Sequence, residues 1–204
     1  CMAGKDNKSF GIAVVDLKPV DSGQLTVDSS MRPVAEQGSN QLSTVNSQLS
    51  TLNCQLSTVN YLGRITGNMY NMRHLLIRDG YIYLSINRDG YIQRMPMDKF
   101  LSFLPQGGGV REGSGWENCK VGAGARTIEF SPDGRYIYAA CNASSTLYVV
   151  DVKTFQPIVH MTIDSYPVGL DVSKDGRYVF TTSQGRSNGG GNCVDIFEVE
   201  DTKN

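Results

Sequence analysis

The tetrapeptide Asp133-Gly134-Arg135-Tyr136 returns 42 positions later as Asp175-Gly176-Arg177-Tyr178, and around it residues 125–156 can be laid over 167–200. In both copies an alternating apolar segment enters the turn and another leaves it. Pro132-Asp133-Gly134 supplies a fixed φ, a short side-chain acceptor and a residue free to take positive φ, in the order a tight turn needs. Residues 127–130 read as the strand before the turn and Tyr136-Ile137-Tyr138 as the strand after it. Residues 147–152 read as a third strand and 157–163 as a fourth, outer one, where a leading proline is tolerated.

A looser copy surrounds Asp79-Gly80, with Leu75-Leu76-Ile77 before the turn, Tyr81-Ile82-Tyr83-Leu84 after it, and 91–95 as the next strand. Asp-Gly between such runs is a strong hairpin signal. The distance from Asp79 to the next copy is 54 residues, the excess being a glycine-rich insertion over 105–124 that carries Trp116 and Cys119. At the start of the chain, residues 10–18 resemble 146–153 and read as part of one more copy.

One such unit has two apolar faces and cannot bury both alone, whereas radial stacking of successive units buries them all. A period of 42 residues fits a four-stranded blade of roughly 40–45 residues. The expected fold is therefore all-β, a β-propeller of four-stranded antiparallel blades. Its segments are a partial blade at 1–18, a blade at 73–104, the glycine-rich insertion at 105–124, a blade at 125–163, and an incomplete blade at 167–199 that stops after its third strand. These amount to about three and a half to four blades, few for a closed ring. A partial propeller, such as a fragment of a seven-bladed one, is the preferred expectation, with a second chain completing the ring as the other.

Residues 41–61 break the pattern with three near-copies of a heptad, QLSTVNS, QLSTLNC and QLSTVNY. Leu42/Val45, Leu49/Leu52 and Leu56/Val59 recur at a coiled-coil-like spacing. Serine, threonine, valine and asparagine fill most other places, however, and these are poor helix formers without charge pairing. A low-complexity insertion is the expectation here.

Charge and cysteine content narrow the functional classes. Nineteen basic and twenty acidic residues in 204 give a net charge of -1, which supplies no electrostatic reason to expect nucleic acid. No run approaches the eighteen or so apolar residues that span a bilayer as a helix. Five cysteines, none in CxxC spacing, and only two histidines, His74 and His160, disfavour a zinc site. Cys1 falls near the repeat position of Cys141; a blade position is preferred for it over a lipid-modified terminus.

The run 132–138, followed by Cys141-Asn142-Ala143-Ser144-Ser145-Thr146 and Leu147-Tyr148-Val149-Val150-Asp151, resembles the YVTN repeat of seven-bladed bacterial and archaeal propellers. These include surface-layer and YncE-like proteins and, more distantly, lactonase-type propellers. The chain departs from that family at its name-giving residues, with Tyr138-Ala139-Ala140-Cys141 and Phe180-Thr181-Thr182-Ser183 in their place. The resemblance implies an exported, periplasmic or cell-surface bacterial protein that binds or scaffolds. It also brings in lactone hydrolysis as the enzymatic alternative.

Candidate chemistry is sparse. Asp79, Asp133 and Asp175 each precede a turn glycine, and a structural role is expected of them. Arg135 and Arg177 share a rim and could meet an anion jointly, although pairing with nearby aspartates is preferred. The loop 185–192 holds four glycines with Arg186 and Asn188, a candidate backbone N–H cradle lacking the Lys-Ser/Thr of a P-loop. Trp116 serves recognition if exposed and anchors its loop if tucked in. Residues 185–189 spell GxSxG but lie in a strand-to-strand loop with no following helix, so they make no nucleophile elbow; no HExxH is present, and neither cofactor nor metal is expected. The expected function is noncatalytic binding of a protein or small ligand through Trp116, Arg135, Arg177, Arg186 and Asn188. A fragment without independent activity is the remaining alternative.

Overall fold

The computed structural model describes residues 11–19, 57–67, 70–186 and 189–200. Cys1, the greater part of 41–61, and Asn188 lie outside the described residues.

Strand β1 (Ile12–Pro19) pairs antiparallel with β2 (Ser57–Thr66), so the described part of the chain opens with an antiparallel pair of strands. Strand β2 begins inside the last heptad copy, at Ser57. The first complete blade starts with β3 (Met72–Arg78), β4 (Tyr81–Ile86) and β5 (Tyr91–Pro96). Asp79 and Gly80 join β3 to β4 with φ of 49° and 75°, the two left-handed residues that match a two-residue hairpin to strand twist. A short helix, α1 (Met97–Ser102), follows and buries Phe100.

The glycine-rich segment is more than an insertion. Its strand β6 (Val110–Glu112) lies parallel on the edge of β2, and β7 (Glu117–Lys120) pairs antiparallel with β5 as the fourth strand of the first blade. The blade therefore extends past 104 to Lys120, with its outer strand displaced along the chain by α1 and β6. Gly124 shows why this segment is glycine-rich. Its φ is +78°, and a Cβ there would lie 2.4 Å from the backbone nitrogen of Ala143.

The second blade is the regular one: β8 (Ala125–Phe130), β9 (Tyr136–Cys141), β10 (Thr146–Asp151) and β11 (Gln156–Thr162), in spatial order. The C-terminal sheet has β12 (Pro167–Val172), β13 (Tyr178–Ser183) and β14 (Cys193–Glu198), with no fourth strand among the described residues.

The four sheets stack in chain order, and one apolar cluster fills each junction. Ile12 and Ile65 of the N-terminal sheet meet Ile82, Leu84 and Met95 of the first blade. Tyr83, Ile92 and Cys119 of the first blade meet Ile128, Ile137 and Val150 of the second. Tyr138, Leu147 and Val149 of the second meet Val179, Leu170 and Phe197 of the C-terminal sheet. The inner strands β3, β8 and β12 are successive neighbours, as radial stacking requires. No cluster joins the first sheet to the last among the described residues, so these sheets form a row and not a closed ring. No helix among them is long and apolar enough to cross a membrane.

Candidate functional site

The repeated turns are built from serine as well as aspartate. Asp133 Oδ1 accepts hydrogen bonds from Ser131 Oγ at 2.7 Å and from the Arg135 N–H at 3.0 Å. Ser131 Oγ in turn accepts from the Tyr136 N–H at 3.0 Å. In the next sheet Asp175 accepts from Ser173 Oγ at 2.6 Å and from the Arg177 N–H at 3.1 Å, and Ser173 Oγ accepts from the Tyr178 N–H at 2.9 Å. The repeating unit is thus Ser-X-Asp-Gly-Arg-Tyr. Ser131 and Ser173 stand at the same 42-residue interval and were available to a closer comparison of the copies.

The hydrogen bond from Ser131, followed by that from the Arg135 N–H, lowers the Asp133 carboxyl to about 2. A carboxyl depressed on folding stabilises the protein above its unfolded value, roughly 3.9, and that stability is lost as pH falls towards the folded value. Because the carboxylate is 46 % exposed, its contribution is under about 1 kcal/mol. Asp133→Asn is expected to be slightly less stable than the parent at neutral pH. The difference should close between about pH 4 and pH 2 in denaturant titrations.

Between these two turns lies a cleft of about 200 Å³ lined by Ser131, Asp133, Arg135, Tyr138, Asp175 and Arg177. The structure therefore brings Arg135 and Arg177 to one rim. Arg135 forms an ion pair with Asp133. Arg177 reaches across its sheet to Glu198 at 3.4 Å instead of pairing with the Asp175 carboxylate, which its own backbone N–H engages. An anion would have to displace existing ion pairs, so the rim carries compensated charge and is polar and partly aromatic.

The other candidates do not converge on this cleft. Arg186 follows β13 whereas Arg177 precedes it, which puts them at opposite ends of that strand. The guanidinium of Arg186 sits 4.6 Å from the centroid of the Tyr166 ring. Within the same loop Gly185 and Gly191 pack backbone to backbone, and the Gly191 N–H donates to Asp164 Oδ2 at 2.6 Å. That donor is spent on the protein itself rather than offered to a ligand. Trp116 is half-buried with its indole edge-on to Phe100, ring centroids 5.9 Å apart, in the cluster beneath the insertion. This is the packing that the anchoring role needs. His74 Nδ1 lies 2.8 Å from the Ile128 carbonyl, and His160 stacks on Tyr148 at 4.9 Å, so each histidine is engaged locally.

No three of His, Cys, Asp or Glu come together as a metal site among the described residues. Cys119, Cys141 and Cys193 are free thiols. Burial pushes the first two up to about 11 and about 12, and a hydrogen bond to Asp164 holds Cys193 at about 11, so none is a ready nucleophile.

Two residues that the sequence comparison passed over matter more to the architecture. Arg78 donates from Nη1 to the Ser131 carbonyl at 3.1 Å and from Nη2 to the Pro132 carbonyl at 2.8 Å, tying the first blade to the turn of the second. Arg94 bridges the same two blades, donating from Nη1 to the Val152 carbonyl at 2.6 Å and lying 4.2 Å from the Phe155 ring centroid. Its signal was present as a single charge in an apolar strand.

No family model matches the chain, and no curated protein matches it. Solved structures do. Hydrazine synthase of Kuenenia stuttgartiensis aligns with a TM-score of 0.51 at 16% identity over 64% of this chain and 33% of its own. A functionally unknown protein from Desulfotomaculum acetoxidans aligns at 0.52 and 18% over 69% and 41%. The WD40 β-propeller domain of Doa1 aligns at 0.51 and 16% over 71% and 44%. The chain spans less than half the length of each. At such identities the likeness concerns fold alone: the four-stranded antiparallel sheets of this chain are similar to the blades of propeller-type proteins.

Proposed function

We propose that this chain is a noncatalytic, YVTN-like propeller module that binds a polypeptide partner at the rim between its second blade and its C-terminal sheet. The supporting observation is the cleft formed by the two Ser-X-Asp-Gly-Arg-Tyr turns. It combines guanidinium donors, carboxylate acceptors and the Tyr138 ring, and no metal-ligand cluster occurs among the described residues. Locally balanced charge suits a peptide of mixed polarity better than a free anion. On the YVTN resemblance, the module works as an exported, cell-surface or periplasmic component.

The test is selection of binding peptides from a random display library against the full chain, followed by titration of the winners. Arg135→Ala/Arg177→Ala is expected to weaken their binding at least tenfold while leaving the circular dichroism spectrum unchanged. Peptides that bind both proteins equally would place recognition elsewhere. Turnover of a sugar lactone panel above the buffer rate would establish the hydrolase alternative.

A further inference from the structure

The inner strands of the first blade, the second blade and the C-terminal sheet share one irregularity. Pairing shifts between Met72 and Leu75 in β3, between Ala125 and Thr127 in β8, and between Pro167 and Gly169 in β12. Each shift admits one extra residue, a β-bulge, and a bulged residue stands outside the ladder with its side chain re-aimed. The second residue of each strand holds that place: Arg73, Arg126 and Val168. All three lie at the end of the inner strands opposite the Ser-X-Asp-Gly turns, which leave the other end.

Val168 shows that the bulge itself needs no cation. Neither Arg73, which is exposed, nor Arg126, which is partly buried, has a hydrogen bond, ion pair or ring contact from its guanidinium among the described residues. The fold nevertheless brings the two bulges together. His74, next to Arg73, donates its N–H to Ser85 Oγ at 2.9 Å, and that hydroxyl donates to the Arg126 carbonyl at 2.6 Å. Strand β8 lies directly between β3 and β12, so no further sheet of the stack can come between the two arginines. The described carboxylates at this end are engaged: Asp89 lies 3.9 Å from Arg88, Asp164 accepts from the Gly191 N–H and the Cys193 thiol, and Asp195 accepts from the Asp164 N–H. Two like charges on adjacent strands with no counter-charge repel one another, a cost that folding does not require.

We propose that Arg73 and Arg126 together bind the phosphate group of a small phosphate monoester where the inner strands of the two complete blades begin. A monoester dianion supplies the charge that two guanidiniums need, and its three terminal oxygens can meet both planar forks, whereas a carboxylate fills one. The site lies at the opposite end of the strands from the cleft proposed above to bind a peptide, and either can fail without the other.

Inorganic phosphate and phenyl phosphate serve as probes, titrated against the full chain at constant ionic strength and read by calorimetry and by thermal melting. Both are expected to bind saturably and to raise the melting temperature, while dimethyl phosphate, a monoanionic diester, leaves it unchanged. Arg73→Val and Arg126→Val install the kind of residue that the third bulge already carries, and each is expected to weaken phosphate binding by about tenfold or more. Without phosphate these variants should melt at or above the parent temperature, because a repulsion is removed and no contact is lost. Arg135→Ala/Arg177→Ala should bind phosphate as the parent does. Three results would overturn the proposal: no stabilisation by either probe, equal stabilisation of the parent and the valine variants, or valine variants that melt below the parent in phosphate-free buffer, which would make the arginines structural.

Discussion

Leu147→Ala is expected to destabilise the protein by about 2–5 kcal/mol, whereas Val194→Ala should change stability by less than about 0.5 kcal/mol. The two residues occupy the same place in the repeat: Leu147 pairs with Ala140 and Val194 with Thr182, one position along the second-to-third-strand ladder in each sheet. Ile92 is their counterpart in the first blade, paired with Ser85. Ile92 is 0% exposed and Leu147 1%, each covered by the following sheet, while Val194 is 56% exposed because no described sheet follows. Phe180 stands likewise where Tyr83 and Tyr138 are buried. Chemical denaturation of the two alanine variants checks the claim. A cost at Val194 comparable to that at Leu147 would mean that another sheet covers this face in solution.

Arg94→Ala should cost about 2–4 kcal/mol, from the loss of a charge-assisted hydrogen bond to a carbonyl and of contact with an aromatic face. The side chain is 14% exposed and pairs with Glu117 at 2.7 Å, so truncation also strips the outer strand β7 of its ionic tie. At the equivalent repeat position the second blade has Val149 and the C-terminal sheet Ile196. Arg94→Met therefore supplies apolar volume of a kind the repeat accepts, and it should recover part of the loss while leaving the Val152 carbonyl without its donor. Equal unfolding midpoints for the alanine variant and the parent in urea would contradict this bridging role.

The blades were legible because their information is local. Period-two apolar runs separated by Asp-Gly turns specify hairpins whatever surrounds them, and the 42-residue return of Asp133-Gly134-Arg135-Tyr136 marked two sheets before any contact was known. The outer strand of the first blade was not legible. Glu117–Lys120 is only four residues long, alternates weakly, and follows a helix and a strand that joins a different sheet. Its pairing with β5 is a long-range choice made by the fit of Cys119 into the junction with the second blade.

The candidate site divides along the same line. Equivalent positions in successive blades must share a rim, so Arg135 and Arg177 could be paired from the repeat alone. Which carboxylate each arginine would take could not, because Glu198 reaches Arg177 from across a strand pair. Trp116 and Arg186 looked equally available as sequence. Packing on Phe100 and on Tyr166 then gave each a local partner, and strand direction set Arg186 at the far end of β13 from the cleft.

Sequence, then, determines the blade: alternation and turn chemistry act between neighbours in the chain and need no tertiary context. Tertiary structure alone decides which faces of the blades are covered, since identical repeat positions such as Leu147 and Val194 differ in whether another described sheet lies against them.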